Sequence, residues 1–189
     1  MENMGFKINP YDPCVAKKMV NGHQMTICWH VDDLKVSHKD KNAVTALAEK
    51  LAELYRPKTI ASRGNVHEYL GIDIDWASVQ GTMIVSMIKY LHKVISEFPK
   101  FLRGTKASPA GDHLITIIEE VKSKLLQEEQ ARQFHRTVAQ LLFLCKRVRP
   151  NIEPLILFLT TRLKEPDEDD WGKLKHGMMY LKGTLYMCC

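Results

Sequence analysis

The chain has 189 residues, of which 45% are hydrophobic and 26% charged, and its formal net charge is +5. This composition is typical of a core-forming chain and excludes an intrinsically disordered one. No apolar run approaches the roughly 20 residues that span a bilayer, which argues against a membrane protein. The N-terminus lacks the basic and apolar regions of a signal peptide, so we expect an intracellular location, in the cytoplasm or nucleus.

The spacing of cysteines and histidines and the distribution of charge limit the kinds of metal, disulfide and phosphate-binding site that the chain could contain. The five cysteines show no CxxC spacing, which argues against a zinc site, a disulfide framework and a disulfide-linked partner. The histidines show no HExxH-type spacing. Basic residues are concentrated in Lys89–Lys106 and Arg132–Arg149, whereas Glu165–Asp170 is acidic. The basic segments either cover a phosphate backbone or form solvated helix faces, partly paired with the acidic segment.

The first third of the chain reads as an antiparallel meander. After a turn at Asn9–Pro13, three strands are predicted, at Cys14–Val20, His23–His30 and Leu34–His38. Asn21-Gly22 is a strong hairpin signal between the first two strands. The adjacent carboxylates Asp32 and Asp33 fall at the turn between the second and third. Because like charges repel, such a pair favours either a bound cation or a merely solvated turn.

Further elements follow from apolar spacing. A helix is predicted over Ala43–Leu54 and ends at Arg56-Pro57. Residues 66–76 are predicted as a strand with Leu70, Ile72, Ile74 and Trp76 on one face, paired with residues 82–88 through a turn at Gln80-Gly81. Four helices are then predicted, the last three after a connecting loop: Lys89–Phe98, Glu128–Val148, Ile152–Leu163 and Asp169–Lys182. The fold class is α+β, an antiparallel meander with helices followed by an all-helical region.

The order of several short motifs resembles the reverse transcriptase region of copia-type LTR retrotransposon polyproteins. His30-Val31-Asp32-Asp33-Leu34 resembles the catalytic Tyr-x-Asp-Asp motif, and Tyr69-Leu70-Gly71-Ile72 resembles the primer-grip hairpin. The other similar stretches are Gly5-Phe6, Asn9–Val15, Phe134–Arg136 with Ala139–Leu144, Arg149–Ile152, Trp171 and Tyr180–Thr184. Each motif is common alone, and their shared order carries the resemblance.

The resemblance implies a division of the chain into three segments. Residues 1–98 would be a partial reverse transcriptase palm with a palm-like sheet and the primer-grip hairpin. Residues 99–127 would be a connecting loop and linker. Residues 128–189 would be a helical thumb and connection leading towards a missing ribonuclease H domain. The fingers and the first catalytic aspartate of the family are not matched by any stretch of this sequence.

The resemblance also implies site residues and partners. Asp32 and Asp33 would be catalytic and would bind Mg²⁺ or Mn²⁺, provided that the missing palm segment is present. A primer–template of RNA or DNA and deoxynucleotides would be the partners of the intact enzyme. The residues expected to hold the nucleic acid are Tyr69, Leu70, Gly71, Arg136, Arg147 and Arg149, with apolar packing in the hairpin and solvation of the arginines as the alternatives.

Two positions depart from the family's pattern, and three functions stay open. His30 stands in place of the family's tyrosine, and Asn151 in place of its aspartate. The first function is a fragment of an RNA-directed DNA polymerase that is inactive alone. The second is a nucleic-acid-binding module without catalysis. The third is a decayed retroelement reading frame without selected function.

Overall fold

The structure, a computed structural model, describes residues 1–55, 61–76, 81–99, 102–116 and 123–187. The chain divides into two compact units, Met1–Leu70 and Gly71–Cys189. This division falls inside the segment predicted as a single palm, residues 1–98. The reason is that apolar residues after position 71 share a core with the C-terminal helices. Pro57, Gln80 and Cys188-Cys189 lie outside the described residues.

The first unit is built on an antiparallel sheet with strand order β1-β2-β3-β4. The strands are β1 (Lys7–Ile8), β2 (Val15–Val20), β3 (His23–His30) and β4 (Asp33–Ser37). The three predicted strands of the meander are therefore present. The two-residue strand β1 was not predicted, because so short a run carries no periodicity. Asn21 and Gly22 both have positive φ, 51° and 77°, as the predicted two-residue hairpin turn requires.

One helix covers one face of this sheet. Helix α1 (Lys41–Leu54) begins two residues before the predicted start, because the side chain of Asp40 caps it by accepting a hydrogen bond from the Asn42 amide, 2.8 Å. Its buried leucines pack with apolar residues of the sheet and the N-terminal segment. That core consists of Phe6, Ala16, Met25, Ile27, Leu47 and Leu51.

A second antiparallel sheet contains strands β5 (Val66–Tyr69), β6 (Ile72–Asp75) and β7 (Ile84–Ser86), in that order. The prediction of one strand over residues 66–76 was wrong. Leu70 and Gly71 form a turn with φ of 54° and 73°, so Leu70 does not share a strand face with Ile72. The predicted pairing with the later strand holds for β6, where Ile74 faces Val85.

The second unit is mainly helical. Its helices are α2 (Ile88–Glu97), α3 (Glu128–Cys145), α4 (Glu153–Thr161) and α5 (Glu168–Gly183), with a 3₁₀ turn over Pro150–Ile152. All four helices were predicted within a few residues. Buried side chains from all four form one core, among them Leu91, Val94, Phe134, Leu141, Leu155 and Met178. Helix α2 therefore packs with the C-terminal helices and shares their core.

Described parts of the predicted linker, residues 99–127, pack along α5. Lys182 donates to the carbonyl of Leu102, 2.7 Å, and Lys173 donates to the carbonyl of Thr116, 3.0 Å. Leu125 forms an isolated β-bridge with Asp167. This stretch is consequently part of the second unit. Among the described residues no helix is long and apolar enough to cross a membrane, and Cys14, Cys28 and Cys145 are free thiols.

Helices α4 and α5 approach each other closely at a glycine of α5, which has no side chain. A Cβ added to Gly177 would lie 2.2 Å from Cδ2 of Leu155, which is buried. We expect Gly177→Ala to destabilise the fold by about 1–3 kcal/mol through overpacking, despite the better helix propensity of alanine. Urea unfolding followed by circular dichroism measures the change.

Gly172 supplies the matched control on the same helix. A Cβ at Gly172 meets no atom within 4 Å, and the residue is exposed. Gly172→Ala should therefore stabilise the protein by about 0.5–1 kcal/mol through helix propensity alone. Equal effects of the two substitutions would contradict the packing argument.

Candidate functional site

The hairpin between β3 and β4 carries the predicted catalytic pair. The register of the two strands closes with His30 opposite Asp33, which leaves Val31 and Asp32 as a two-residue loop. Asp32 therefore lies in the turn, as predicted, whereas Asp33 is already the first residue of β4. Both carboxylates are exposed. The sequence prediction of an Asp-Asp pair at a tight turn is confirmed with this shift of one residue.

Val31 holds the loop in a costly backbone conformation. Its φ is 51°, in the left-handed region that a β-branched residue rarely adopts. Its side chain is 85% exposed, so packing does not compensate for this strain. The backbone pairing next to the loop, from Thr26–Ser37 to His30–Asp33, holds the turn closed. The position of Asp32 at the tip thus depends on the register of the ladder.

Alternation along the strands decides which side chains share the face of Asp33. Residues facing α1, such as Ile27 and Val36, pair across the strands and are directed to the core. The neighbouring pairs, Cys28 with Lys35 and His30 with Asp33, consequently point to the opposite face. His30 is therefore a cross-strand neighbour of Asp33, in the position where the resembling family has tyrosine.

The pKa of Tyr69, a residue predicted for the primer grip, depends on its surroundings in the first unit. Burial raises the pKa of its phenol, and nearby acidic groups of the first unit add to this rise. Tyr69 is half-buried at the end of β5. Leu70 and Gly71 form the turn that follows it, which agrees with a hairpin at this predicted site.

The carboxylate pair of the hairpin fits a divalent metal only in part. Aspartate oxygens at an exposed turn suit Mg²⁺, which keeps several water ligands. Within the described ranges, however, one group of three close metal-ligating side chains occurs, Asp167, Asp169 and Asp170. No third ligand of that kind accompanies Asp32 and Asp33 there. The hairpin thus supplies a fraction of the ligands that a metal needs.

The acidic cluster at the start of α5 has a structural explanation. Asp167 and Asp170 form a reciprocal capping box at the helix N-terminus. Arg162 also pairs with Asp170, 3.1 Å, and Lys173 pairs with Asp169, 2.8 Å. The acidic residues of this segment thus pair with Arg162 and Lys173, and neither of these belongs to the basic segments for which the pairing was predicted.

Arg149 lies in an environment that does not suit the predicted phosphate contact. It is 2% exposed, and its guanidinium donates to the carbonyl and hydroxyl oxygens of Thr184, at 2.9 Å and 2.7 Å. Its Nε also donates to Asn151, 3.1 Å. Because the charge is buried among these acceptors, Arg149 joins the segment after α3 to the end of α5, and the phosphate assignment needs correction.

Arg136 and Arg147, in contrast, lie on the surface of α3 and of the turn that follows it. Arg136 pairs with Glu97 of α2, 2.8 Å. The guanidinium of Arg147 stacks 3.6 Å from the ring centroid of Phe143, which in turn contacts Tyr90, 5.3 Å between centroids. With the neighbouring Lys93 and Gln140 these side chains form one surface. We call it the α2–α3 face, defined by Tyr90, Lys93, Glu97, Arg136, Gln140, Phe143 and Arg147.

Sequence reasoning identified the cations of this face, Arg136 and Arg147 by name and Lys93 within the basic segment Lys89–Lys106, and missed the part played by its other residues. Arg136, Gln140 and Phe143 recur at intervals of three or four residues, which places them on one side of α3, and Arg147 continues this spacing into the turn that follows. The signal was thus present in the spacing. That α2 contributes the facing residues could be known only from the packing of the two helices.

The chain is similar to two transposon proteins. It is 23% identical over 182 residues to the retrovirus-related Pol polyprotein from transposon TNT 1-94 of Nicotiana tabacum, covering 94% of this chain and 13% of that protein. It is 27% identical over 168 residues to the putative transposon Ty5-1 protein of Saccharomyces cerevisiae, covering 86% of this chain and 50% of that protein. The chain therefore spans half or less of these relatives, and the similarity supports a retrotransposon origin.

Two other comparisons gave no match. No family model matches the chain. No solved structure matches it either.

The strain at Val31 can be measured. Glycine adopts a positive φ without steric cost, so Val31→Gly should stabilise the first unit by about 1 kcal/mol, net of the greater freedom of glycine in the unfolded chain. Urea unfolding monitored through the amide NMR signals of β3 and β4 reports the change.

The equivalent position of the neighbouring hairpin gives the reciprocal control. Asn21 has the same φ of 51° at the first loop position. Asn21→Val should destabilise the unit by a similar amount, about 1–2 kcal/mol. If Val31→Gly lowered stability instead, the strain at the tip of the candidate site would be disproved.

Proposed function

We propose that this chain is a retrotransposon-derived part of a reverse transcriptase, which binds a primer–template and lacks polymerase activity by itself. The observation that carries the proposal is the closed hairpin with Asp32 at its tip and Asp33 in the adjoining pair. Tyr69, the first residue of the stretch that resembles the primer grip, belongs to the same compact unit as the two carboxylates. The similarity to transposon proteins supports the same origin.

The catalytic part of this proposal is incomplete in the described chain. When bound, divalent metals would activate the primer's hydroxyl and stabilise the leaving pyrophosphate. Asp32 and Asp33 would supply carboxylate ligands, with His30 beside Asp33 on the outer face of the sheet. The described residues bring no further carboxylate to the pair. Catalysis therefore belongs to an assembly that adds the missing palm strand.

The binding part rests on the second unit, whose helices would serve as thumb and connection. Lys93 of α2, Arg136 of α3 and Arg147 just beyond α3 are exposed cations, and Arg147 stacks on Phe143, whose ring contacts Tyr90. Cations with neighbouring aromatic rings suit a nucleic-acid backbone and its bases. Arg149 has no part in this contact, because it is buried.

A non-catalytic binding module is the second candidate. It is favoured by the absence of a third carboxylate beside Asp32 and Asp33 among the described residues. Both candidates share the α2–α3 face as the binding surface. They differ in whether the hairpin takes part in chemistry once the missing strand is supplied.

Salt dependence tests the shared binding surface. Binding of a labelled DNA duplex with a single-stranded overhang should weaken steeply with salt, because phosphate contacts release counterions. Removing two cations by Arg136→Gln with Arg147→Gln should flatten the logarithmic slope by about 0.9 for each phosphate that is no longer neutralised. Fluorescence anisotropy at several salt concentrations measures the slope.

A matched control removes two charges elsewhere in the second unit. Lys124 and Lys164 are exposed and lie outside the α2–α3 face. Lys124→Gln with Lys164→Gln changes the net charge equally and should leave most of the slope intact. Equal flattening by both double variants would reduce the proposal to a general effect of net charge, and a lack of binding by every form would refute it.

A further inference from the structure

Glu97 is a negatively charged side chain at a position where a positive charge would be favoured. It is the acid of the basic segment Lys89–Lys106 and the last residue of α2. The C-terminus of a helix carries a partial negative charge, which favours cations there and disfavours a carboxylate. Its side chain is 26% exposed, so water compensates only in part. Something else must hold this carboxylate in place.

Three donors converge on the Glu97 carboxylate. Arg136 and Gln140 both donate to Oε2, at 2.8 Å and 3.0 Å, from successive turns of α3. The ammonium of Lys93, one turn earlier on α2, lies 4.0 Å from Oε1. The hydrogen bond from Gln140 is the main cause that lowers the pKa of Glu97, and the charges of Arg136 and Lys93 contribute. The carboxylate is therefore ionised at neutral pH.

The donors are held in position by further contacts. Tyr90 donates from its hydroxyl to the carbonyl of Gln140, 3.3 Å, joining the two helices beside the cluster. Gln133 donates to the backbone carbonyl of Glu97, 3.4 Å. In addition, the side-chain oxygen Oε1 of Gln140 is buried without a hydrogen-bond partner. Gln140 thus donates its amide N–H₂ to the Glu97 carboxylate, although its own side-chain oxygen accepts no hydrogen bond.

We propose that Lys93, Arg136 and Gln140 form a phosphate-binding site for a nucleic-acid backbone, and that the carboxylate of Glu97 occupies this site and competes with the phosphate. Guanidinium groups bind carboxylate and phosphate with the same forked geometry, so one anion can replace the other. This inference rests on the proposed function, because it assigns a ligand and a competing group to the same α2–α3 face.

The other residues of the α2–α3 face would form a continuous binding surface for the nucleic-acid strand. Phe143 lies about two helical turns beyond Arg136, roughly 10 Å along the axis of α3, and Arg147 stacks on its ring. The rings of Phe143 and Tyr90 are in contact. A strand bound at Arg147 would therefore pass over aromatic rings and bring a further phosphate to the site that Glu97 fills.

Glu97→Gln tests the competition. The amide keeps the shape of the side chain and can still accept from Arg136, so we expect the fold to persist, as a thermal melt would show. With the negative charge removed, the full chain should bind a labelled DNA duplex with a single-stranded overhang about three- to tenfold more tightly at low salt, and the slope against salt should steepen by about 0.9, one additional phosphate contact. Glu97→Ala provides a second variant, with the same expected direction.

Glu165→Gln is the control for net charge. Glu165 is exposed and lies outside the α2–α3 face. Equal tightening by Glu165→Gln and Glu97→Gln would overturn the site. Adding Arg136→Gln to Glu97→Gln should abolish the gain, and a gain that persisted would also overturn it. If the wild-type chain binds but Glu97→Gln and Glu97→Ala leave affinity unchanged, this inference fails while the proposed function stands. If no form binds, both fail.

Discussion

The pairing of β3 with β4 is the constraint on which the candidate site depends. Because antiparallel partners share a face, the single pair Ile27–Val36 directs its side chains into the core and fixes every neighbouring pair. His30 and Asp33 are thereby placed on the opposite face, and the loop is limited to Val31 and Asp32. A register shift of one residue would bury the polar face and expose the apolar one. The hydrophobic core of the first unit therefore positions its carboxylates.

In the second unit, the arginines of the basic segment Arg132–Arg149 have different roles, because one is buried in the fold and others lie on the surface. Arg149 is buried against Thr184 and Asn151, whereas Arg147, two residues earlier, stacks on an exposed ring. Arg136, which lies earlier in the chain on α3, forms an ion pair with Glu97. Charge counted along the sequence therefore overstates the surface that can meet phosphate. What remains is a compact face shared by α2 and α3.

Much of the architecture could be predicted from local patterns, and the failures have identifiable causes. The Asn21-Gly22 turn, the meander and the helices follow from turn chemistry and periodicity. The turn at Leu70 was missed, because leucine is not a residue that favours positive φ and the apolar alternation continued through it. The burial of Arg149 and the pairing of Glu97 with Arg136 depend on contacts between distant segments. Such contacts leave no periodic signal in a single sequence.

The proposed function is tested most directly at the β3–β4 hairpin, where Asp32 and Asp33 would form part of a two-metal site. The measurement is a Mn²⁺ titration of the ¹⁵N-labelled chain, which detects metal through selective broadening of nearby amide signals. We predict broadening centred on Val31, Asp32 and Asp33, with a dissociation constant on the order of 10⁻³ M, because two carboxylates leave most ligand positions to water. Asp32→Asn should abolish this broadening. Broadening that spares the hairpin, or saturation at micromolar Mn²⁺, would contradict the proposal.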